Sequence, residues 1–501
     1  MSSHPRFVVL LGALAILVAS CSGSLVLDPV GSVRHPELGP PTFQIVVLAG
    51  DDLSPLRDAD LRVDGQSVDV DADGTTQVQW PDRGVEITAS APGFHDAPIV
   101  LERYPEAGKV EFRLDPVVLA GRVTTPDGTA LPDAVVRLGA AQDDTDGEGR
   151  YRLERAIPGD IELSRSAWED ITYPWDGSTD KLDVTMNPLE LHALRVGADR
   201  VGDSGGWDEI LSLGDLTGID AVVIDVKDEF GTVLHDTEVA RAHELGAVKA
   251  FYDIDDVVAE LDQHEMYKIA RVVVFQDSPS ARAEPDHAVR NEDGTMWETA
   301  NGQHWLDPTD PASYEYSIEL AAETCSRGFD EVQFDYVTFP FGGDMASATF
   351  DGAYTEEVRV ASIVAYLERA YTVLEPLECA VAANVLAITL ESHSDEGVGQ
   401  RPGPMSRVAD VLSPMIYTSN YGPGWKGFED PNDHAVEIVD AALLAGTRKL
   451  EGSAYYRPWL QTWGIDTTTV RAVERAAEEY GMGWMLWSNA STYAAGVLPA
   501  P

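Results

Sequence analysis

From about Phe43 to Pro116 apolar and polar positions alternate in short runs: FQIVVLAG, DLRVDG, TTQVQW, VEITAS and KVEFRLD. Period two over so few residues predicts half-buried β-strands, and the DG and PDRG clusters between them predict turns. The alternation recurs from about Val117 to Pro188, in VLAGRVTTPDGTALPDAVVRLG and DTDGEGRYRLERAIPGDIELS. From Leu191 the texture changes. Apolar strand runs (LHALRVGA, AVVIDVKD, IARVVVFQD, EVQFDYVTF, CAVAANVLAI, VLSPMIYT, EGSAYYRPWLQTW, GWMLWSNA) alternate with segments such as ASYEYSIELAAETCSRG, EEVRVASIVAYLERAYTVL and TTTVRAVERAAEEYG. The latter have helical spacing and glycine stops. AVKAFYDID reads as part of a long loop between the second and third strands. Roughly eight βα units over about 300 residues predict an α/β fold, a (β/α)8 TIM barrel, on the C-terminal side of two small all-β sandwich modules. An open doubly wound sheet is the weaker alternative, because no Gly-rich phosphate loop follows the first strand. The expected domains are 42–116, 117–189 and 190–501, after a leader over 1–21 and a linker over 22–41.

Charge narrows the partners. The formal net charge is −50 and acidic residues are spread through every segment. Nucleic acid needs a basic footprint, and there is none. Scattered acidity reads as solubility first, and as repulsion from anionic polymers second. At the start, Arg6 precedes FVVLLGALAILVA and then Val18-Ala19-Ser20-Cys21. A positive start, a short apolar run and small residues at the cut predict a secretory signal, too short to span a membrane comfortably. V-A-S-C resembles a bacterial lipobox. That resemblance implies cleavage before Cys21, lipidation of Cys21 and a membrane anchor on the outer face of the cell membrane. The Ser-, Gly- and Pro-rich stretch that follows reads as a tether. Cys325 and Cys379 either pair in that oxidising compartment or remain two small buried thiols.

The stretch FDEVQFDYVTFP (329–340) carries the first candidate chemistry. In a strand, Glu331, Gln333 and Asp335 share one face, and Val332, Phe334 and Tyr336 the other. Active sites of TIM barrels lie at the C-terminal ends of the strands. Polar or aromatic residues end several strands here: Asp225, Lys227 and Asp228, then Asp277, Asp335, Asn384, Tyr417, Gln461 with Trp463, and Trp487 with Asn489. Carboxylates, amides and aromatic planes around one mouth suit a carbohydrate. Glycoside hydrolysis uses two carboxyl groups. Asp335 is the leading catalytic candidate, with Gln333 one layer below to orient it. Asp277, on the neighbouring strand, stands ahead of Asp225 as its acid/base partner across a sugar. Lys227, Gln333, Asn384, Tyr417, Gln461, Trp463 and Trp487 are the expected substrate-binding residues. Arg271 is expected low in the barrel, neutralised by Glu331. Asp395 and Glu396 are outside candidates, Arg457 a loop anchor, and Trp297 and Trp305 a lid or groove wall. No zinc-spaced His pair is present, and no acidic spacing demands a metal, so no cofactor is expected.

Six blocks in order, VVIDVKDEFG, YKIARVVVFQD, GFDEVQFDYVTFP, VLSPMIYTSNY, RPWLQTW and GWMLWSNASTY, resemble a bacterial family of unknown function grouped with the glycoside hydrolases, over about Leu191–Tyr493. The resemblance implies a TIM barrel related to glycoside hydrolases; the expected partner is a polysaccharide or cell-envelope glycan. Thr338 stands where that family has Arg, Asn384 where it has Asp, and Thr418 and Asn420 where it has Pro and His. An Asp-to-Asn change removes an acid or base outright. Gly121, Val123, Pro132, Ala134, Val136, Gly147, Gly149 and Tyr151 make the second β module resemble the carboxypeptidase regulatory-like sandwich, expected here as a spacer. The expected function is a membrane-tethered extracytoplasmic glycoside hydrolase working through paired carboxylates. The alternatives are a non-catalytic glycan-binding lipoprotein on a degenerate barrel, or a structural envelope lipoprotein.

Overall fold

The computed structural model describes residues 39–81 and 83–500. The leader, Cys21 and residues 22–38 of the expected linker lie outside the described residues. The chain forms two compact units, one ending at Asp115 and the other holding Pro92–His95 and everything from Pro116 onward. In the first unit a three-stranded sheet (Thr75–Gln79, Thr42–Ala49, Lys109–Leu114) accompanies a four-stranded one (Gln66–Val68, Asp60–Val63, Val85–Ser90, Ala97–Leu101). The expected alternation holds: Phe43, Ile45 and Val47 are fully buried, as are Ile87 and Ala89.

The second β module has sheets of four (Ala141–Asp144, Val135–Leu138, Gly159–Ser164, Ile171–Trp175) and three strands (Arg150–Glu154, Val118–Thr124, Val184–Thr185). Its core does not stop at its own edge. Leu119, Val136, Leu153 and Ile161 share one apolar cluster with Ala380, Ala382, Val411 and Tyr455 of the barrel. Tyr455 donates its hydroxyl to the carbonyls of Ala167 (2.9 Å) and Leu189 (3.2 Å), and buried Arg165 pairs with buried Asp410 at 2.9 Å. The module is therefore a floor for the barrel and not the spacer expected from its sequence.

Eight parallel strands close the barrel: β1 (His192–Val196), β2 (Ala221–Lys227), β3 (Tyr267–Val273), β4 (Glu331–Asp335), β5 (Ala380–Leu386), β6 (Val411–Ile416), β7 (Trp459–Gln461) and β8 (Trp484–Trp487), with β1 paired to both β8 and β2. The main helices are α1 (Ser204–Leu216), α2 (Ile254–Gln263), α3 (Glu315–Ser326), α4 (Glu356–Leu374), α5 (Ala435–Thr447) and α6 (Thr467–Glu478). Asp203, Asp253, Thr355 and Asp466 accept first-turn backbone N–H groups, which fixes where four of them begin. AVKAFYDID is not loop. Val248–Tyr252 runs parallel to Val233–His235, which itself pairs with the end of β2, and Asp253 then caps α2.

Along β4 every residue is buried, and Val332 and Phe334 belong to the outer apolar layer. Glu331, Gln333 and Asp335 fill the lumen at three heights. Glu331 is held by Arg457, whose Nη1 reaches both carboxylate oxygens at 2.9 Å. The expected Glu331–Arg271 pair is absent for a register reason: Ile269 lies opposite Glu331, whereas Arg271 lies opposite Gln333 and reaches upward.

Cys325 and Cys379 form a disulfide, with Cα atoms 5.8 Å apart, joining the end of α3 to the residue before β5. Replacing both with Ala is expected to lower unfolding free energy by about 2–4 kcal/mol, read by urea titration. On α6, Glu474 is fully buried beside Arg471, and burial pushes its carboxyl up to about 8 against the pull of that guanidinium. The folded chain thus keeps a proton that the unfolded chain loses near the ordinary glutamate range. Stability should fall as pH rises from about 5 to about 8, and Glu474→Gln should flatten that fall in urea midpoints.

Candidate functional site

At the C-terminal mouth of the barrel lies a cavity of about 330 Å³. Its base is a charge lattice built on Arg271. Asp335 Oδ2 accepts from Arg271 Nε (2.8 Å) and Nη2 (2.7 Å), and Asp335 Oδ1 accepts the backbone N–H of Tyr336 (2.9 Å). Asp225 Oδ1 lies 3.1 Å from Arg271 Nη1, while Asp225 Oδ2 bonds Arg195. Burial works against the charge on Arg271, but Asp335, Asp225 and Glu229 outweigh it and hold the guanidinium above its ordinary range. The Arg195 and Arg271 guanidinium carbons sit 4.9 and 5.2 Å from the Trp487 ring centroid, so a cation–π contact braces each.

Of the expected residues, Asp335, Asn384, Tyr417, Trp463 and Trp487 line this cavity. Tyr417 and Trp463 form a tilted pair 5.1 Å apart, and Trp463 is 39 % exposed. Asn384 Oδ1 accepts from Trp459 Nε1 (2.9 Å), which also donates to Gln333 Oε1 (3.1 Å). Asn384 Nδ2 and Thr338 Oγ1, both buried and both on lining residues, have no protein partner among the described residues. Donors left free in such a place suit a ligand rich in hydroxyls.

Other expected residues are placed elsewhere. Asp225 stands behind Arg271 and does not line the cavity. Asp277 and Lys227 pair with each other at 2.9 Å, both within 1 % of full burial. Asp277 also caps Ser278–Ala283, and Lys227 Nζ donates to the Val273 carbonyl at 2.7 Å. A register shift between Asp225 and Lys227 explains this, since it aligns Lys227 with Val272 of β3 and turns it off the lumen face. The expected Asp277–Asp335 pair is therefore not formed. Gln333 bonds Ser413 (3.2 Å) and Trp459 one layer down, without touching Asp335. Gln461 clamps loops, accepting from Ser419 N (2.9 Å) and donating to Asn432 Oδ1 and the Trp463 carbonyl. Asp395 grips Arg359 with both oxygens (2.6 and 2.7 Å), Glu396 bonds Ser392 and Ser394, and neither lines the cavity. Trp297 and Trp305 are buried; Trp305 packs edge-on behind Phe341, so it backs a wall and is no lid.

Five lining residues escaped the sequence reading: Glu229, Tyr336, Phe341, Leu386 and Met415. Glu229 Oε2 lies 3.7 Å from Arg271 Nη1, on a side chain 43 % exposed. It sits on a tight turn that Asp228 pins by accepting the N–H groups of Phe230 (2.9 Å) and Thr232 (2.8 Å). The available signal was D-E-F-G directly after a barrel strand. Tyr336, straight after Asp335, adopts φ +50°, a strained left-handed conformation for such a residue, and stacks on Phe341 at 5.8 Å.

A closed parallel barrel whose mouth carries carboxylates, amides and aromatic rings defines a protein of the TIM-barrel glycoside hydrolase class. The chain belongs to the family described as "Putative glycosyl hydrolase domain", whose model matches residues 193–493. A hypothetical protein from Ruminiclostridium thermocellum ATCC 27405 is 31% identical over 38% of this chain and 96% of its own, with a TM-score of 0.35. The spore cortex-lytic enzyme SleL of Bacillus megaterium QM B1551 is 8% identical over 66% of this chain and 75% of its own, with a TM-score of 0.37. The α-galactosidase TtGalA of Thermus thermophilus is 12% identical over 81% and 85%, with a TM-score of 0.38. No curated protein matches the chain.

Proposed function

We propose that this protein is an extracytoplasmic glycoside hydrolase acting on a polysaccharide or cell-envelope glycan, with Asp335 and Glu229 as its two carboxylates. The observation that carries the reading is their placement: among the described residues they are the two carboxylates lining the mouth cavity, and both lie on Arg271. Sharing the terminal nitrogens of one guanidinium keeps their nearest oxygens within about 9 Å, a limit that admits both separations glycosidases use. Asp335, buried and gripped at both oxygens, is suited to face the anomeric carbon as an anion. Glu229, exposed and loosely held, is suited to give a proton to the departing oxygen and to take one from the incoming water. Trp463, Tyr417 and Trp487 offer ring faces for the sugar. The disulfide Cys325–Cys379 favours an oxidising compartment. It supports, with the V-A-S-C sequence, export and tethering at Cys21 to the outer face of the cell membrane.

A second reading is favoured by one observation. Asp335 is engaged at Oδ2 by Arg271 and at Oδ1 by the Tyr336 N–H, and Asn384 stands where the resemblance has Asp, so the mouth suits glycan binding without cleavage. Sugar release from a panel of bacterial exopolysaccharides and cell-wall glycans separates the two. Glu229→Gln should lower release from polymer about a hundredfold and from an aryl glycoside much less, because a good leaving group needs no proton. Glycan binding with no release by the unaltered protein would install the second reading.

A further inference from the structure

Beside the mouth lies a second cavity, of about 320 Å³. The two share Leu386, Met415, Tyr417 and Asn420, so they are halves of one cleft. Its far wall is a pair of aromatic rings, Tyr421 and Trp425, 4.9 Å apart and inclined by 44°. Both are partly buried, and both carry an idle polar atom: the Tyr421 hydroxyl and Trp425 Nε1 find no protein partner among the described residues.

The loop that presents these rings is held in shape. Lys426, next to Trp425, adopts φ +50° and bonds Glu391, which follows β5. Gly424 N donates to the Phe428 carbonyl at 2.7 Å, and the Phe428 ring stacks on His434 at 3.9 Å. A rigid aromatic wall needs little ordering when a ligand arrives.

We infer that the Tyr421–Trp425 cavity is a second sugar subsite. The substrate is then a chain of at least two sugar units, one against Asp335 and Glu229 and the next against Trp425. This rests on the carbohydrate reading of the mouth. The chemistry fits one occupant. Ring faces stack on the apolar face of a pyranose. Both cavities lie within the range of volumes, about 300–1,000 Å³, that small-ligand pockets take.

The test uses the full chain in its Asp335→Asn form, so that binding is read without turnover. The probes are the mono- and tetrasaccharides of β-1,4-glucose, β-1,4-N-acetylglucosamine, β-1,6-N-acetylglucosamine and α-1,4-glucose, followed by tryptophan fluorescence and calorimetry. At least one tetrasaccharide should bind about tenfold or more tighter than its monosaccharide. Trp425→Ala should bring the tetrasaccharide to the monosaccharide's affinity. Trp425→Phe, which keeps the ring and guards against a folding artefact, should keep most of the gain. A chain-length gain that survives Trp425→Ala overturns the subsite, as does no gain with length. Sugar release by the unaltered protein without any such gain overturns the subsite alone and leaves hydrolysis standing. A gain that Trp425→Ala removes, with no release from any glycan, upholds the subsite and overturns hydrolysis. Neither binding nor release overturns both.

Discussion

Asp335→Asn is expected to lower sugar release by about a thousandfold or more, the scale on which a removed catalytic carboxylate is felt. The substitution keeps shape and one acceptor, removes the charge and puts an amide NH2 where the second oxygen accepted. Arg271 is not orphaned by it, because Asp225 Oδ1 remains 3.1 Å away and Glu229 remains 3.7 Å away. The fold should therefore survive, with a urea midpoint close to that of the unaltered protein. That separation of activity from stability is the informative part. If Asp335 served only to neutralise Arg271, the variant would keep its turnover. A drop in turnover at nearly constant stability assigns the charge to the reaction. Asp225→Asn is the comparison. Asp225 also touches Arg271 but stands off the cavity, so its variant should lose less turnover than Asp335→Asn.

The barrel was legible because its strands announce themselves. All eight runs named from the apolar pattern are strands, in the expected order. Period and glycine stops carry that information locally. Residues on strand ends were legible in part. Asp335, Asn384, Tyr417, Trp463 and Trp487 reach the cavity as the alternation of faces requires. What failed did so where alternation is interrupted. The shift in β2 takes Lys227 off the lumen, and a residue past the end of β3, Asp277, obeys helix capping in place of strand alternation. Partners were the least legible feature. Whether Glu331 meets Arg271 or Arg457 depends on register across strands and on how far a long side chain climbs, and neither is written in the spacing along one strand. Glu229 was missed for a related reason: it lies on a turn, and it joins the site because Asp228 fixes that turn against Arg271. The fate of the second β module was illegible altogether. Its alternation predicts a sandwich equally well whether its core is closed or, as here, continues into Ala380 and Val411.

At the opposite end of the lumen, Arg457→Met is expected to lower unfolding free energy by about 3–5 kcal/mol, because one member of a buried ion pair leaves the other uncompensated. Both partners are fully buried. Burial raises the Glu331 carboxyl above its ordinary range, and Arg457 is the chief force opposing that rise. Without Arg457 the rise is larger, so the folded variant takes up a proton that the unfolded chain does not hold. The loss should then shrink as pH falls, since protonation removes the buried charge. Glu331→Gln added to Arg457→Met should recover part of the stability at neutral pH for the same reason. Urea titrations of both variants at about pH 5 and pH 8 read all of this. A loss below about 1 kcal/mol, equal at both pH values, would show that the floor tolerates the lone carboxylate. The consequence extends past the barrel. Arg457 Nη2 donates to the Tyr455 hydroxyl at 2.8 Å, and that hydroxyl in turn reaches the carbonyls of Ala167 and Leu189. Removing Arg457 therefore loosens the seam to the β module, and proteolysis around Arg165–Leu189 should quicken in Arg457→Met while the mouth cavity keeps its charge lattice.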